Sequence, residues 1–284
     1  NMGKGTIMIE PCAGLGNRFL GMASAYHWAQ QTGDELTVLW KTERVMGARN
    51  EAVFSLPDGI RVIHAKDFGY KDKPFSHFRY QMLEKKLRKK ADYFSDVDMT
   101  NDLFVEKGNA YYEEVMKNND LKFIRAFSQF HDFSGIDRPL EFIKPTDYVR
   151  EKADSVISGI DSSSNIGVHI RRTDNQVCIN NSPLEVFIEA MEKEIEKDDR
   201  VTFYIASDDL DTILELKRRF GDRIYYMAEK NFERDSDKGI ADAFAELICL
   251  SHANKIIGSF YSTYSRIAAM LSGIELEVVK KTDA

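Results

Sequence analysis

The chain has 284 residues, which is enough for two domains of ordinary size. Its 39 lysines and arginines are outnumbered by 46 aspartates and glutamates, so the net charge is −7. This balance argues against a nucleic-acid partner, because duplex affinity depends on a surplus of cations. No apolar run is long enough for a transmembrane segment. The three cysteines, Cys12, Cys178 and Cys249, are an odd number at spacings that match no zinc pattern, which predicts a reducing, cytoplasmic location.

The first half of the chain begins with a strand, a glycine-bearing turn and a helix, and its pattern weakens after residue 71. The predicted elements are a strand at 6–10, a helix at 18–31, strands at 36–40 and 60–64, a basic helical stretch within 78–93, a strand at 121–127 and a helix from Pro145 to 157.

The second half alternates strands and helices regularly, as a parallel sheet covered by helices requires. Ser182-Pro183-Leu184-Glu185 has the composition of a capping box with proline at the first helical position. The predicted elements are strands at 165–171, 201–206, 223–227, 255–258 and 275–279, and helices at 183–197, 209–220, 240–251 and 262–271. We therefore predict an α/β protein with two doubly wound, Rossmann-like domains, at residues 1–150 and 151–284.

A basic run, Lys85-Lys86-Leu87-Arg88-Lys89-Lys90, lies in the weakly patterned region. Such a run is usually a solvated helix face. Peripheral contact with a membrane surface, or with an acidic partner, is the alternative that the sequence leaves open.

Two predicted strand ends carry residues that suit an anion. Gly14-Leu15-Gly16-Asn17-Arg18 allows close backbone approach before a helix N-terminus, although a turn without a ligand accounts for it nearly as well. His169-Ile170-Arg171-Arg172-Thr173-Asp174 places two arginines after a buried strand, and the arginine fork suits phosphate oxygens. The alternative for the second segment is an internal ion pair between arginine and Asp174.

These two segments resemble the signature motifs of the α-1,6-, α-1,2- and protein O-fucosyltransferase superfamily. Two further blocks are similar to the same family: Ala206-Ser207-Asp208-Asp209, and the segment from Glu246 to Thr263. The four blocks are in the family's order and cover most of the chain.

The resemblance implies a GT-B arrangement, in which two Rossmann-like domains face a cleft, GDP-fucose binds mainly to the C-terminal domain and a glycan acceptor binds to the N-terminal one. It implies no cofactor beyond the donor GDP-fucose. By position, the resemblance assigns guanine recognition to His169 and Glu246. It assigns binding of the β-phosphate to Arg171, and the shape of the same turn to Arg172 and Asp174. Hydrogen bonds to the diphosphate are assigned to Ser262 and Thr263, and contacts with phosphates or sugar to Gly14, Gly16 and Asn17.

For catalysis we expect Arg171 to stabilise the departing diphosphate during an inverting transfer. The base that deprotonates the acceptor is left open among Asp208, Glu10 and Asp34, and Asp208 has an equal claim as a helix cap. Two D-x-D triplets, at 96–98 and 235–237, are interpreted as solvated loops, so no metal is expected. The alternatives are a transferase for another nucleotide sugar and a non-catalytic nucleotide- or glycan-binding module.

Overall fold

The structure, a computed structural model, describes residues 5–64, 74–97, 114–115 and 120–281. The chain divides into two compact units, Asn1–Lys144 with Arg234–Ile240, and Pro145–Glu233 with Ala241–Ala284. Each unit contains a five-stranded parallel sheet with helices on both faces. The predicted α/β, doubly wound class is confirmed.

The first unit follows the predicted order of elements and adds several short ones. Its elements are β1 (Thr6–Pro11), α1 (Leu15–Thr32), β2 (Glu35–Trp40), α2 (Asn50–Val53), β3 (Phe54–Ser55), β4 (Arg61–His64), α3 (Pro74–Lys90), β5 (Tyr93–Val97) and β6 (Leu121–Ala126); the two-residue strand β7 (Lys144–Pro145) ends it. The sheet order is β4-β2-β1-β6-β5. Because the chain moves from β1 in one direction to β2 and β4, and returns to β6 on the other side, the order reverses between β1 and β6.

Alternation along the strands explains why helices cover both faces of this sheet. Met8, Leu39 and Phe123 pack in one cluster with apolar residues of α3. On the opposite face α1 comes so close that a Cβ on Gly21 would lie 3.5 Å from the Cβ of Ala126. The strands are therefore buried on both sides, as a parallel sheet requires.

The second unit repeats this plan more regularly. Its elements are α4 (Asp147–Ile157), β8 (Asn165–Ile170), α5 (Gln176–Asn181), α6 (Leu184–Lys197), β9 (Thr202–Ser207), α7 (Leu210–Phe220), β10 (Ile224–Tyr225), α8 (Asp237–Ser251, whose first residues belong to the first unit), β11 (Lys255–Ser259), α9 (Thr263–Ser272) and β12 (Glu275–Val279). The sheet order is β10-β9-β8-β11-β12, the Rossmann order, which reverses between β8 and β11.

The even-numbered residues of β8 and its odd-numbered residues face different helices. Val168 and Ile170 are fully buried in a cluster with residues of α6 and α7. On the other face, a Cβ on Gly167 would lie 3.1 Å from a Leu250 methyl of α8. His169 shares the Gly167 face, so it faces the α8 and α9 layer.

Several details differ from the sequence predictions. Helix α1 begins at Leu15, three residues earlier than predicted, and the elements α2, β3, β5, β7 and α5 were not predicted. The capping box at Ser182 is wrong: Pro183 is the N-cap of α6. The Ser182 hydroxyl instead donates to the carbonyl of Val279 (2.6 Å) and accepts from the backbone N–H of Phe260 (2.8 Å), because it is completely buried among the ends of neighbouring strands.

Within the described part of the chain, no helix has both the length and the apolar character needed to cross a membrane. The three cysteines are free and buried.

Candidate functional site

Arg171 is the first residue beyond β8, at the carboxyl end of the second sheet and next to the point where its strand order reverses. Ligands of open α/β sheets bind outside the strands' carboxyl ends at such a switch point. The backbone N–H of Arg171 donates to the Ser259 hydroxyl (3.0 Å) at the end of β11, and the same hydroxyl lies 3.3 Å from the His169 carbonyl. Ser259 therefore joins the two strands that flank the switch point.

The Arg171 guanidinium is held by two carboxylates. Its Nε lies 2.7 Å from Asp174 Oδ1 and 3.2 Å from Asp208 Oδ2, and its Nη2 lies 2.5 Å from Asp174 Oδ1. The ion pair with Asp174 that the sequence offered as an alternative is therefore present. The side chain is nevertheless 22% exposed, so the guanidinium remains accessible from solvent at the edge of the sheet.

Asp208 organises the turn that carries Arg171. Its Oδ1 accepts from the backbone N–H of Arg172 (2.7 Å), and its Oδ2 accepts from the Thr173 hydroxyl (2.6 Å). Burial alone would raise the pKa of Asp208, but the hydrogen bonds of Thr173 and Arg172 and the charge of Arg171 lower it below the ordinary value. The alternative role as a helix cap is wrong, because Asp209 caps α7 by accepting from the backbone N–H of Thr212.

His169 is neutral and almost completely buried. It is 3% exposed, and burial, with the nearby charge of Arg171, lowers its pKa to about 3. Its ring is tilted against the Tyr264 ring at a centroid distance of 4.7 Å. Its Nδ1 is buried and has no hydrogen-bond partner among the described residues. A buried polar atom of this kind is costly unless a ligand or water satisfies it.

Glu246 lies on the same side of the sheet as His169 and is linked to it through Tyr264. The Tyr264 hydroxyl lies 2.9 Å from Glu246 Oε2, and Lys230 Nζ lies 2.6 Å from the same oxygen. Burial raises the pKa of Glu246, although Lys230 and Tyr264 act in the opposite direction. A buried ion pair and a neutral imidazole therefore flank one tyrosine ring.

The N-terminus of α9 follows β11 at the same edge. Ser262 occupies the N-cap position but makes no side-chain capping bond, and Thr263 is the first helical residue. The helix packs so tightly on β11 that a Cβ on Gly258 would lie 2.7 Å from the Cβ of Ser265, so only glycine fits there. The Ser262 hydroxyl and the first N–H groups of α9 are thus placed where an anion can bind.

Arg172 contributes a second cation to the turn. Its Nη1 is buried and lacks a hydrogen-bond partner in the part of the chain that the structure describes. Since its backbone N–H is bonded to Asp208, the residue is positioned by the same carboxylate as Arg171.

In the first unit, the glycine motif forms the turn between β1 and α1. Gly14 is the N-cap of α1, and Gly16 and Asn17 lie in its first turn. A Cβ on Gly14 would meet no atom of the described residues within 4 Å, and its φ of −75° suits any residue. Neither strain nor packing against the described residues therefore requires glycine at position 14, which is consistent with space kept for a ligand.

Arg18, the last residue of this motif, has a structural role. It is fully buried, and its guanidinium donates to the carbonyls of Ala13 (2.8 Å) and Lys41 (2.6 Å). Ala13 has a φ of 66°, which is unfavourable for a residue other than glycine. Arg18 therefore stabilises a strained turn and ties it to the end of β2.

The remaining base candidates from the sequence lie at opposite ends of the first sheet. Asp34 precedes β2, at the amino end, where it pairs with the buried Lys122 (2.9 Å). Glu10 lies near the carboxyl end of β1, is fully buried, and has Lys41 and Arg125 each 3.7 Å from Oε1. Burial raises the pKa of Glu10.

The D-x-D triplets differ in part from their predicted loop setting. Asp96 lies in β5, and Asp98 is outside the described residues. Asp237 begins α8 and accepts from Arg49 through both carboxylate oxygens. Over residues 5–64, 74–97, 114–115 and 120–281, no group of three or more histidine, cysteine, aspartate or glutamate side chains could hold a metal ion.

Sequence reasoning missed Lys230, Ser259 and Tyr264 at this edge. Ser259 and Tyr264 fall inside the block from Glu246 to Thr263 or next to it, so their position near the motif was the only available signal. Lys230 lies between β10 and α8 in a segment without periodicity, and nothing in the sequence pairs it with Glu246.

No protein-family model matches the chain, and the search of curated protein sequences finds no match. Solved structures do share its fold. NodZ α-1,6-fucosyltransferase of Bradyrhizobium, soaked with GDP-fucose, is 16% identical with a TM-score of 0.66, covering 95% of this chain and 93% of that one. FUT1 of Arabidopsis thaliana in complex with GDP is 13% identical with a TM-score of 0.64, covering 97% and 70%. POFUT1 in complex with GDP is 15% identical with a TM-score of 0.58, covering 97% and 98%.

The chain therefore shares its α/β fold with these three fucosyltransferases over nearly its whole length. The likeness is one of fold, and it agrees with the resemblance found in the motifs.

Proposed function

We propose that the protein is an inverting, metal-independent glycosyltransferase that transfers fucose from GDP-fucose to a hydroxyl of a glycan acceptor. The observation that carries the proposal is the carboxyl edge of the second sheet, where the accessible Arg171 guanidinium lies beside the buried, neutral His169. In this proposal the C-terminal region, 151–284, binds the donor and the N-terminal region, 1–150, binds the acceptor.

The base-recognition part of the proposal rests on His169 and Glu246. Guanine presents N–H donors on one edge and acceptors on another, so a carboxylate and a neutral imidazole suit it. Because burial lowers the pKa of His169 to about 3, its ring is uncharged. Its Nδ1 has no hydrogen-bond partner among the described residues and can bond to a base. Uracil is smaller and has a different arrangement of hydrogen-bond donors and acceptors. Comparing the affinities for GDP and UDP is therefore a direct test.

The phosphate part rests on three groups at the same edge. Arg171 supplies a two-pronged donor, Arg172 adds a cation whose Nη1 is unpaired among the described residues, and Ser262 and Thr263 begin α9. Cations and helix N-termini stabilise an anionic leaving group electrostatically. These groups supply the charge that a divalent ion supplies in metal-dependent transferases, which is why we propose a metal-independent reaction.

The chemical step follows from this arrangement. The acceptor oxygen attacks C1 of fucose as the bond from C1 to the β-phosphate oxygen breaks, so the electron pair of that bond leaves with GDP and the configuration at C1 inverts. The acceptor proton passes to a base. Asp208 is poorly suited to that task, since its pKa is lowered and it accepts several hydrogen bonds from the turn. We assign it the task of positioning Arg171.

Calorimetry with GDP, UDP and ADP tests the base assignment, and release of GDP from GDP-fucose without acceptor tests the chemistry. We expect tight binding of GDP and slow hydrolysis of GDP-fucose. Preference for UDP would instead favour a transferase that uses another nucleotide sugar. Tight binding of GDP with no turnover under any acceptor would favour a non-catalytic binding module.

A further inference from the structure

The helix α3 presents an outer face that neither the fold nor the proposed reaction explains. Its inner face, with Tyr80, Leu83 and Leu87, packs on the core of the first sheet. On the outer face Phe78 is 59% exposed and Met82 is 58% exposed. Large apolar side chains this exposed, four residues apart on one helix, form a small exposed apolar stripe.

Lysines continue this stripe along the same line. Residues 78, 82, 85 and 89 are spaced four, three and four apart, so Phe78, Met82, Lys85 and Lys89 share one face over about 16 Å of helix. The flanking cations Arg79, Lys86 and Lys90 are also exposed.

The charge of this face is unbalanced. None of Arg79, Lys85, Lys86, Lys89 and Lys90 forms an ion pair with another described residue, whereas Arg88 is paired with Glu84 (2.7 Å) toward the inner side. The patch therefore carries five cations without a described ion-pair partner, on a chain whose net charge is −7. The outer face of α3 is thus complementary to a surface that is both anionic and able to accept apolar side chains.

We propose that the outer face of α3 docks on an anionic lipid bilayer, with Phe78 and Met82 entering the interface and the lysines contacting lipid phosphates. An interfacial helix combines an apolar stripe with cations at its margins in this way. Lysines outnumber arginine four to one in the patch, and lysine acts as a mobile point charge rather than a directional fork. That preference suits mobile headgroups better than the shaped phosphate sites of a nucleic acid or an acidic protein.

Flotation with phosphatidylcholine vesicles containing 30% phosphatidylglycerol, and with pure phosphatidylcholine vesicles, tests the proposal without any need for transferase activity. We expect the full chain to float with the anionic vesicles only. K85Q/K86Q/K89Q should lower partitioning roughly 10²-fold, because each cation near an anionic surface contributes about fivefold. F78S/M82S should also lower it, even at low salt.

The helix α7 offers a matched control. Leu210 is 44% exposed and Leu214 is 39% exposed, with the same four-residue spacing, but Asp211 and Glu215 lie on the same exposed side. L210S/L214S should therefore leave vesicle binding unchanged. Thermal unfolding of all variants shows whether they are folded. If a multiple variant is not folded, the single substitutions M82S and K89Q are used in its place.

Several results would overturn the proposal. They are equal binding to anionic and neutral vesicles, no binding to either, or loss of binding in L210S/L214S as large as in F78S/M82S. Binding of single-stranded RNA in place of vesicles would make the patch a nucleic-acid site. A dimer that F78S/M82S dissociates would show that a second copy of the chain covers this face.

Discussion

Arg171 Nε lies 3.2 Å from Asp208 Oδ2, although the two residues follow different strands, β8 and β9. The contact exists because these strands are parallel neighbours, with His169 opposite Ala206 in their register. Asp208 also accepts from the backbone of the turn after β8. One carboxylate therefore holds the backbone of the turn at Arg172 and the side chain of Arg171, the arginine on which the proposed reaction depends.

Replacing Arg171 should affect turnover far more than folding. Arg171→Ala should lower kcat by roughly 10²–10³, the loss typical of removing one preorganised charge-stabilising donor. Arg171→Lys should be impaired as well, since an ammonium cannot make two parallel hydrogen bonds. Arg200→Ala is the matched control, because that side chain is 81% exposed and its one ion pair among the described residues is with Asp198. Steady-state kinetics with GDP-fucose and thermal unfolding are the measurements. A loss of activity that merely tracked a lower unfolding temperature would make the Arg171 ion pairs structural.

Asp208→Asn distinguishes a positioning residue from a general base. The asparagine amide keeps one acceptor for the turn but places N–H donors toward Thr173 or Arg171. The free energy of unfolding should therefore fall by about 1–3 kcal/mol, and kcat should fall by roughly tenfold. The acidic limb of the pH–rate profile should keep its midpoint, because the lowered pKa of Asp208 lies outside the working range. Disappearance of that limb in the variant would identify Asp208 as the base instead.

Two glycines should respond differently to alanine. Gly258→Ala forces a Cβ to within 2.7 Å of the Ser265 Cβ and should cost about 1–3 kcal/mol of unfolding free energy. Gly14→Ala meets open space at a φ of −75°, so stability should be unchanged while the KM for GDP-fucose rises or kcat falls. Urea denaturation and kinetics on both variants test this contrast. Full activity of Gly14→Ala would show that the glycine is not needed to leave room for a ligand.

The buried His169 should make the protein sensitive to acid. Its pKa is about 3 in the folded state and close to 6.5 in the unfolded chain, so between these values only the unfolded state binds the proton. The stability that neutral His169 confers is present above pH 6.5 and is lost as the pH falls toward 3. The unfolding free energy of the wild type should therefore fall more steeply than that of His169→Gln, by up to about 1.4 kcal/mol per pH unit.

Denaturant titrations of both proteins from pH 7 to pH 4 measure this difference. Glu246 has a raised pKa and so works in the opposite sense, losing its contribution as the pH rises, but it is present in both proteins and cancels. Parallel pH dependences would show that His169 is accessible to protons in the folded state.

The Lys230–Glu246 pair should be costly to break from one side. Lys230→Met leaves a buried carboxylate without its cation and should destabilise the fold by about 3–5 kcal/mol. The double variant Lys230→Met/Glu246→Leu removes both charges and should recover much of that loss while still failing to bind GDP. Urea denaturation with calorimetry on the three proteins separates the structural role from the recognition role. Normal GDP affinity in the double variant would exclude Glu246 from base recognition.

Local sequence patterns were sufficient to predict the alternation of strands and helices, the α/β class and the motif segments. Strands such as 165–170 and 202–207 are continuous apolar runs with polar ends, and a parallel sheet buried on both faces requires that pattern. The same argument placed Arg171 at a strand end. Local patterns failed to predict β5, because Tyr93–Val97 is short and follows a polar helix without a turn signal. They also failed at Ser182, where hydrogen bonds to distant strands replace the predicted helix cap.

Only the tertiary structure decided which of these residues meet. The Lys230–Glu246 pair and the bridge that Tyr264 makes between Glu246 and His169 depend on groups brought together from separate elements. So does the bond by which Arg18 ties its turn to the carbonyl of Lys41. Periodicity reports which face of an element is buried, because burial follows from the local alternation of apolar and polar residues. It carries no information on partners across the fold, since pairing is set by strand order and register, which are properties of the whole sheet.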